Sequence, residues 1–307
     1  MKKAVVIIPT YNGGRLFQDL LESLDKQLYK PSQIIIIDSS SSDGTDKLAK
    51  RFGLNVVSIC QKEFNHGGTR QKGIELSNTA EFFIFLTQDA VLESVNSLDN
   101  IINCFNDYKV GAAYGRQIPH VNSGLLGAHA RLFNYPKQTK VKSIDDAKEL
   151  GIKAAFISNS FAAYRREAIA AVGGFPKHTI LGEDTYVAAK MILSGWKVAY
   201  CAESSVYHSH DYNYLQEFRR YFDIGAFHAK ESWIREKLGN AEGEGVKFVL
   251  SEIKYLLSND KWYLLPSSLV RTVLKFLGYR LGLIEREIPV KTKKLLSMHS
   301  SYWDANK

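Results

Sequence analysis

The chain has 307 residues, of which 45% are hydrophobic and 23% are charged, and its formal net charge is +8. This is the composition of an ordinary globular protein, long enough to bury a core as one large domain or one and a half. It contains no apolar run near the roughly 18 residues of a membrane-spanning helix. The apolar stretch at residues 4–8 is also too short for an export signal.

Cysteine usage indicates the compartment. Cys60, Cys104 and Cys201 lie far apart and form no metal-binding pattern. Their spacing predicts buried free thiols in a reducing compartment, which is the cytoplasm.

The first hundred residues alternate between two patterns. Continuous Val/Ile/Leu/Phe runs predict strands buried on both faces of a parallel sheet, at residues 4–8, 34–37, 55–59 and 82–86. Helical periodicity or a turn into a helix predicts helices between them, at 14–28, 45–52, within 65–77 after a loop at 65–68, and at 97–106. This β-α-β alternation predicts an α/β fold with a doubly wound, mostly parallel sheet.

The pattern changes after residue 112. Residues 119–155 are mixed and polar without a clear period, and we expect them to cover the acceptor side of a cleft. Further elements are predicted as strands at 157–164 and 197–201, helices at 165–172 and 183–193, and helical structure from about 212 to 284. We therefore expect a catalytic domain at 1–211, with halves at 1–112 and 113–211, followed by a helical region at 212–307.

The C-terminal region is basic. From Lys247 onward it holds 11 Lys and Arg against 5 Asp and Glu, a net charge of +6. Arg271, Lys275 and Arg280 recur among apolar residues at roughly helical spacing. This pattern fits an amphipathic helix on an anionic membrane surface, or equally a core-packing helix with a solvated charged face. Nucleic acid is less favoured, because no binding motif accompanies the charge.

Two aspartates follow buried strands at the sheet edge where α/β proteins bind ligands. Asp38 can accept a hydrogen bond from a nucleotide base or cap a turn, and Asp43 is the better turn candidate. Asp89 can hold a divalent metal that bridges a pyrophosphate, or act as a helix or turn cap.

Two further pairs carry candidate chemistry. Glu183 and Asp184 open a helix, where a carboxylate can be a general base for an acceptor hydroxyl or simply a favourable cap. His208 and His210 follow the last predicted strand, where an imidazole can complete a metal shell or lie on the surface. Because alternate residues of an extended segment point to opposite sides, only one histidine is expected to face the site.

A loop rich in small residues precedes the third helix. Its sequence Asn65-His66-Gly67-Gly68-Thr69-Arg70 suits a phosphate group at a helix start, with Arg70 in the first turn. It is neither a Walker loop nor a dinucleotide-binding fingerprint.

The ordered series of motifs closely resembles glycosyltransferase family 2. The matching residues are Pro9-Thr10-Tyr11-Asn12, Ile37-Asp38, Asp43-Gly44-Thr45, Asp89, Gly173-Gly174-Phe175, Glu183-Asp184 and His208. The resemblance covers about residues 1–230 and implies the GT-A fold and inversion at the transferred sugar. Two segments, 64–70 and 86–90, look most like the bacterial rhamnosyltransferase branch, which uses dTDP-L-rhamnose for O-antigen and related polysaccharides.

The resemblance also implies residue roles. Thr10 and Asp38 would hold the base with Tyr11 close to it, and the wider donor-binding set would be Pro9, Thr10, Tyr11, Asp38, His66, Gly67, Arg70, Gln88 and Asp89. Asp89 and His208 would bind Mg²⁺ or Mn²⁺, and Asp184 would be the base beside Glu183. Thr87 stands where the first acid of the family's Asp-X-Asp motif usually lies. This departure implies fewer protein ligands and leaves strict metal dependence open.

The implied activity is rhamnosyl transfer from dTDP-L-rhamnose to a hydroxyl of an oligosaccharide, with a polyprenyl-pyrophosphate-linked acceptor as a candidate partner. The expected location is the cytoplasm, at the inner face of the cytoplasmic membrane. One alternative is the same chemistry with a UDP-hexose donor. Another is a non-catalytic protein that binds a nucleotide sugar or a membrane, and the presence of both Asp184 and Asp89 argues against it.

Overall fold

The structure, a computed structural model, describes residues 2–77, 79–241 and 243–305. Its strands are β1 (Ala4–Thr10), β2 (Gln33–Asp38), β3 (Asn55–Ser58), β4 (Phe82–Leu86), β5 (Val91–Leu92), β6 (Val110–Ile118), β7 (Lys140–Lys142), β8 (Phe161–Arg165) and β9 (Lys197–Tyr207). The helices of the first two thirds are α1 (Gly14–Asp25), α2 (Thr45–Arg51), α3 (His66–Glu75), α4 (Ser97–Asn103), α5 (Leu125–Asn134), α6 (Ala147–Leu150), α7 (Arg166–Ala171) and α8 (Glu183–Leu193). The remaining helices are α9 (Tyr214–Lys230), α10 (Ser232–Leu238), α11 (Glu244–Ser258), α12 (Leu265–Leu283), α13 (Val290–Leu296) and α14 (Tyr302–Ala305).

Within the described residues the strands form one nine-stranded sheet in the order β3-β2-β1-β4-β8-β6-β9-β5, with β7 paired to β9. Neighbours from β3 to β4 are parallel, β8 is antiparallel to both β4 and β6, and β6 and β9 are again parallel. Most strands therefore point the same way, and their carboxyl ends meet at one edge. The predicted mostly parallel α/β sheet is confirmed.

The apolar strand sequences have a physical explanation in two cores, one on each face of the sheet. In β1, Val5 and Ile7 pack on one face, and Val6 and Ile8 pack on the other. Both positions of the alternation must be apolar, so the strand reads as an unbroken run. The doubly wound arrangement follows directly from this pattern.

Several predicted boundaries were wrong. The first helix ends at Asp25, α3 begins at His66 instead of after a loop, and β8 starts at Phe161. Strand β9 continues to Tyr207, and β6 was not predicted. Polar or small residues interrupt the sequences of both strands, so neither has the unbroken apolar run by which the other strands were predicted. The three cysteines are free as expected, but Cys60 is exposed and Cys104 only half-buried.

The C-terminal helices share a core with the sheet. Phe222 of α9 and Trp303 of α14 belong to the same apolar cluster as Val5 and Phe83. The boundary predicted near residue 212 thus crosses a continuous core and stays a prediction. In the described part of the chain, no helix combines the length and apolar character needed to cross a membrane.

Helix α12 packs against α9 at very short range. A Cβ atom placed on Gly278 would lie 2.4 Å from the Phe218 carbonyl oxygen, and one on Gly282 would lie 2.1 Å from that of Phe222. Glycine at these positions lets the two backbones touch. The charges of α12 take part in the same contact, which neither interpretation of this segment anticipated.

Arg271 and Lys275 turn towards α9. Their nitrogen atoms lie 2.9 and 3.2 Å from the carboxylate of Glu217, and all three side chains are largely buried. The two cations therefore form neither the solvated face of a core helix nor the lipid-facing edge of an amphipathic helix.

Candidate active site

The ends of β1 and β2 bring the first two predicted residues together. Thr10 is paired with Asp38 in the parallel register of these strands. Its hydroxyl donates a hydrogen bond of 2.9 Å to the Asp38 carboxylate. The two residues that the family resemblance assigns to the base are therefore in contact at one sheet edge, and their contact with a base stays a prediction.

Asp38 also organises the loop that follows it. Its carboxylate accepts hydrogen bonds from the backbone N–H of Ser41 at 2.9 Å and from the Ser41 hydroxyl at 2.5 Å. The side chain is 2% exposed. Asp38 thus fixes the shape of the loop, and its contact with a nucleotide base stays a prediction. Asp43 accepts bonds from Gly14 and Thr45, which confirms it as a turn residue.

Tyr11 and Gln88 join the ends of β1 and β4. The Tyr11 N–H donates to the Gln88 side-chain oxygen at 2.8 Å, and the Gln88 amide donates back to the Tyr11 carbonyl at 3.0 Å. The Tyr11 side chain is 44% exposed, and the preceding Pro9 lies within β1. The arrangement presents an aromatic ring at the sheet edge, where it could stack on a base.

Helix α3 starts with a close backbone contact. Asn65 caps the helix by accepting a 2.8 Å hydrogen bond from the Gly68 N–H. A Cβ atom on Gly67 would lie 1.8 Å from the Pro176 carbonyl oxygen, so only glycine fits there. The ring of His66 packs edge-on to His299 of the C-terminal region, with ring centres 4.9 Å apart. Burial lowers the pKa of His66 to about 4, so the ring is neutral.

Arg70 has a different partner from the expected phosphate. Its guanidinium lies 3.1 Å from the Glu183 carboxylate and donates a 2.9 Å hydrogen bond to the His66 carbonyl. Both charged side chains are about 6% exposed. Arg70 therefore neutralises a buried carboxylate in this structure, and its phosphate contact stays a prediction.

Glu183 remains charged inside this cluster. Burial alone would raise its pKa, but Arg70 and a 2.9 Å hydrogen bond from Asn159 hold the pKa below the usual value. A permanent negative charge thus lies next to Asp184 in sequence and in space.

Asp184 is the one carboxylate of the pair with a raised pKa. Burial, together with the charge of Glu183, raises the pKa of Asp184 to about 6. Its oxygens accept hydrogen bonds from the backbone N–H groups of Thr185 at 2.7 Å and Asn159 at 3.2 Å. A positioned carboxylate with a pKa near the working pH is suited to accept a proton from a substrate hydroxyl.

The second cluster consists of Asp89, His208 and His210, whose ligand atoms all lie within 4.8 Å of one another. An Asp89 oxygen is 3.5 Å from Nε2 of His208 and 3.8 Å from Nε2 of His210. The expectation that only one histidine faces the site was therefore wrong. Strand β9 ends at Tyr207, so the strict alternation of an extended strand no longer applies to the residues beyond it.

Gln117 holds His208 in one tautomer. The His208 Nδ1 atom lies 3.0 Å from the Gln117 side-chain oxygen, which also accepts a bond from Arg131. The Gln117 amide in turn donates to the Ser158 hydroxyl at 2.9 Å. An oxygen requires a donor, so the proton sits on Nδ1 and the Nε2 lone pair points towards Asp89. Sequence reasoning missed Gln117 because it lies in the unpredicted strand β6.

Residues 158–160 connect the two clusters. Ser158 contacts Gln117, the Asn159 N–H donates to Asp184, and the Ser160 hydroxyl lies 3.4 Å from Nε2 of His208. The Asn159 amide also reaches Glu183, so this segment contacts both acids and the histidine. Its only sequence signal is a short polar stretch before a strand, which many turns share.

The cluster around Asp89 has the chemistry of a metal site. The pKa of Asp89 is lowered although burial opposes its ionisation, so the carboxylate stays charged beside the two rings. Burial lowers the pKa of His208 to about 3, which keeps its ring neutral as a ligand must be. One carboxylate and two imidazoles fit Mn²⁺ better than Mg²⁺, which prefers oxygen alone.

Known proteins resemble this chain in sequence and in fold. The model of the family described as Glycosyl transferase family 2 matches residues 5–173. The chain belongs to glycosyltransferase family 2. The predicted family is thereby confirmed, and with it the prediction of a glycosyltransferase.

Two relatives match nearly the whole chain. The O-antigen chain rhamnosyltransferase WbaN of Salmonella anatum is 50% identical over 99% of this chain and 96% of its own length. The O-antigen chain rhamnosyltransferase RfbN of Salmonella typhimurium is 47% identical over 98% of this chain and 96% of its own length.

Solved structures support the GT-A fold. A mannosyltransferase of Pyrobaculum calidifontis, in complex with GDP-Man and Mn²⁺, superimposes with a TM-score of 0.57 at 18% identity and covers 99% of this chain and 85% of its own. Residues 1–349 of TarS of S. aureus give a TM-score of 0.54 at 15% identity and cover 92% of this chain and 91% of that one.

Proposed function

We propose that this protein is an inverting rhamnosyltransferase that transfers L-rhamnose from dTDP-L-rhamnose to a hydroxyl of a lipid-linked oligosaccharide in O-antigen biosynthesis. The two Salmonella relatives, at 47% and 50% identity over almost the full chain, support the sugar and the pathway. The observation that carries the chemistry is the raised pKa of Asp184, about 6. Asp184 also lies close to the cluster at Asp89, because Asn159 contacts Asp184 and the next residue, Ser160, contacts His208.

Asp184 acts as the general base in this proposal. The acceptor hydroxyl gives its proton to the Asp184 carboxylate while its oxygen attacks the anomeric carbon from the face opposite the nucleotide. The bond between that carbon and the diphosphate oxygen breaks in the same displacement, and the configuration inverts. The transition state carries positive charge on the sugar ring, as in glycoside hydrolysis.

Neighbouring residues keep the base ready. Glu183 stays ionised against Arg70, and its charge favours the protonated form of Asp184 once the proton has been accepted. Two backbone N–H groups hold the Asp184 carboxylate in a fixed orientation. Glu183 is therefore a positioning residue rather than a second base.

The donor would lie along the sheet edge. Tyr11, with Thr10 and Asp38 beneath it, would contact the base, and Gln88 would keep the two strand ends together. Asp89, His208 and His210 would hold Mn²⁺, which would offset negative charge on the departing diphosphate. His66, Gly67 and Arg70 would border the donor from α3.

We further propose that the reaction takes place at the inner face of the cytoplasmic membrane. A polyprenyl-pyrophosphate-linked acceptor would be embedded there, and the basic region after residue 246 would face anionic lipid. The division into a catalytic domain at 1–211 and a membrane-facing helical region at 212–307 is part of this proposal.

Calorimetric titration with dTDP-rhamnose, UDP-glucose, UDP-galactose and GDP-mannose tests the donor, each with Mn²⁺ and with EDTA. We expect selective binding of dTDP-rhamnose that weakens in EDTA. Selective binding of UDP-glucose or UDP-galactose would assign a UDP-hexose donor instead. Binding of none of them would support a non-catalytic protein.

A further inference from the structure

Helices α11 and α12 and the turn between them leave a continuous series of large apolar side chains in solvent. Each of these side chains is at least 36% exposed, and together they form what we call the hairpin face: Val246, Leu250, Ile253, Leu257, Trp262, Tyr263, Leu269, Val270, Val273, Phe276 and Leu277. On α11 they recur every three or four residues, which places them on one side of the helix. Soluble monomers rarely expose a contiguous apolar patch of this kind without a function.

The opposite sides of both helices are already used for packing. Leu256 and Glu252 of α11 are buried, and Glu252 accepts a hydrogen bond from Ser268 of α12. On α12, Gly278 and Gly282 contact α9. The hairpin face is therefore the outer surface of two helices whose inner sides are packed against the rest of the protein. Its exposure is not caused by loose packing of these helices.

We infer that the hairpin face is the surface by which this protein docks on an anionic lipid bilayer. Trp262 and Tyr263 at the tip are 67% and 56% exposed, and such aromatic side chains favour the boundary between headgroups and acyl chains. The inference deepens the membrane location given under Proposed function and rests on it.

The charges around the hairpin face agree with anionic lipid. Lys247, Lys254 and Arg280 are exposed on the two helices. Glu252 is buried, and Glu244 pairs with both Lys153 and Lys247. Lys254 and Arg280 therefore carry the positive charge of the two helices, and Asp260 in the turn is exposed beside the tip. Each exposed lysine or arginine near an anionic lipid surface strengthens binding to that surface.

A second copy of the chain fits the same face less well. In a symmetric dimer the same patch meets itself, so Lys254 and Arg280 of one copy would be brought towards the equivalent cations of the other copy. Like charges brought together at an interface cost energy, whereas lipid phosphates would compensate them. The charge pattern thus favours a bilayer over self-association.

Helix α11 is also connected to the residues that support the cluster at Asp89. The Ser251 hydroxyl of α11 lies 3.0 Å from His129 of α5. Arg131 of the same helix contacts Gln117, which holds His208. The hairpin is therefore linked through α5 to the cluster at Asp89.

Vesicle sedimentation with the full chain, without donor or acceptor, tests the inference. We expect binding to vesicles of phosphatidylethanolamine and phosphatidylglycerol, little binding to phosphatidylcholine vesicles, and weaker binding at high salt. The double variant Leu250→Ser and Leu269→Ser should reduce the affinity about tenfold or more. The matched control, Leu28→Ser and Leu76→Ser, removes exposed leucines outside the hairpin face and should bind normally.

The outcomes separate this inference from the rhamnosyltransferase proposal. Transfer to a short water-soluble acceptor should be unchanged in the hairpin variant, because no site residue is altered. Equal vesicle binding by the wild type and both double variants would overturn the inference. So would a concentration-dependent dimer that the hairpin variant abolishes, together with no vesicle binding. Vesicle binding by a protein that transfers no rhamnose would instead leave the inference standing and overturn the proposed function.

Discussion

The acid limb of the pH–rate profile should report the pKa of Asp184. Burial and the charge of Glu183 raise this pKa to about 6, from an ordinary value near 4. The base must be deprotonated to accept the hydroxyl proton, so the rate should fall as pH decreases through about 6. At pH 5 about one tenth of the molecules would carry the ionised base, against about nine tenths for an unperturbed aspartate.

Changing Glu183 to Gln should move this limb to lower pH. The change removes a negative charge beside Asp184 and leaves the Arg70 charge uncompensated, and both effects favour the ionised base. A decrease of about one pKa unit corresponds to about 1.4 kcal/mol. The fraction of ionised base at pH 5 would then rise from about one tenth to about one half.

The assay is the initial rate of rhamnosyl transfer with saturating donor and Mn²⁺. The pH runs from about 4.5 to about 8, which brackets the Asp184 pKa of about 6. Dividing the rate at pH 5 by the rate at pH 8 removes any general loss of activity, and this ratio should rise about fivefold in Glu183→Gln. His208 should not contribute to the limb, because its pKa is already about 3. Glu149→Gln, an exposed glutamate on α6, is the control and should leave the ratio unchanged. A wild-type rate that stays flat down to pH 5 would refute the reasoning.

Two further predictions concern the supports of the site. Gln117→Leu should weaken Mn²⁺ binding about 10- to 100-fold in a calorimetric titration, because His208 loses the acceptor that fixes its tautomer; unchanged affinity would show that the bond has no such role. Gly67→Ala should lower the melting temperature by several degrees, since the added Cβ would lie 1.8 Å from the Pro176 carbonyl oxygen. The control Gly68→Ala adds a Cβ no nearer than 3.4 Å to its neighbours and should melt normally, whereas equal melting of both variants would contradict the contact.

The parts of the fold that sequence predicted well are those with both faces buried. Strands β1, β2 and β4 read as unbroken apolar runs because each lies between two cores. Strand β6 does not, since Gly115, Arg116 and Gln117 interrupt it at the site itself. Polar side chains at the site thus interrupt the apolar pattern by which a strand is predicted, and Gln117 was missed for that reason.

Site residues were predicted where a strand or helix end fixes their direction. Thr10 and Asp38 meet as expected, and Asp184 opens α8 as expected. The expectation that only one of His208 and His210 faces the site was wrong, because the strand ends at Tyr207 and its alternation stops there. The partner of Arg70 was also beyond sequence reasoning, since its ion pair with Glu183 joins residues more than a hundred positions apart. The direction of α12 could not be predicted either. Arg271 and Lys275 turn inward to pair with Glu217, so the apolar side of the helix faces outward, and hydrophobic periodicity does not reveal such ion pairs.

The most direct test of the account is the single-turnover rate of rhamnosyl transfer by Asp184→Asn, with donor binding measured on the same sample. Asparagine has nearly the shape of aspartate but cannot accept the hydroxyl proton. The account predicts normal dTDP-rhamnose affinity and a transfer rate at least about 100-fold below wild type, as expected for loss of a general base. Transfer at a near-normal rate would remove Asp184 from the role of base and contradict the mechanism.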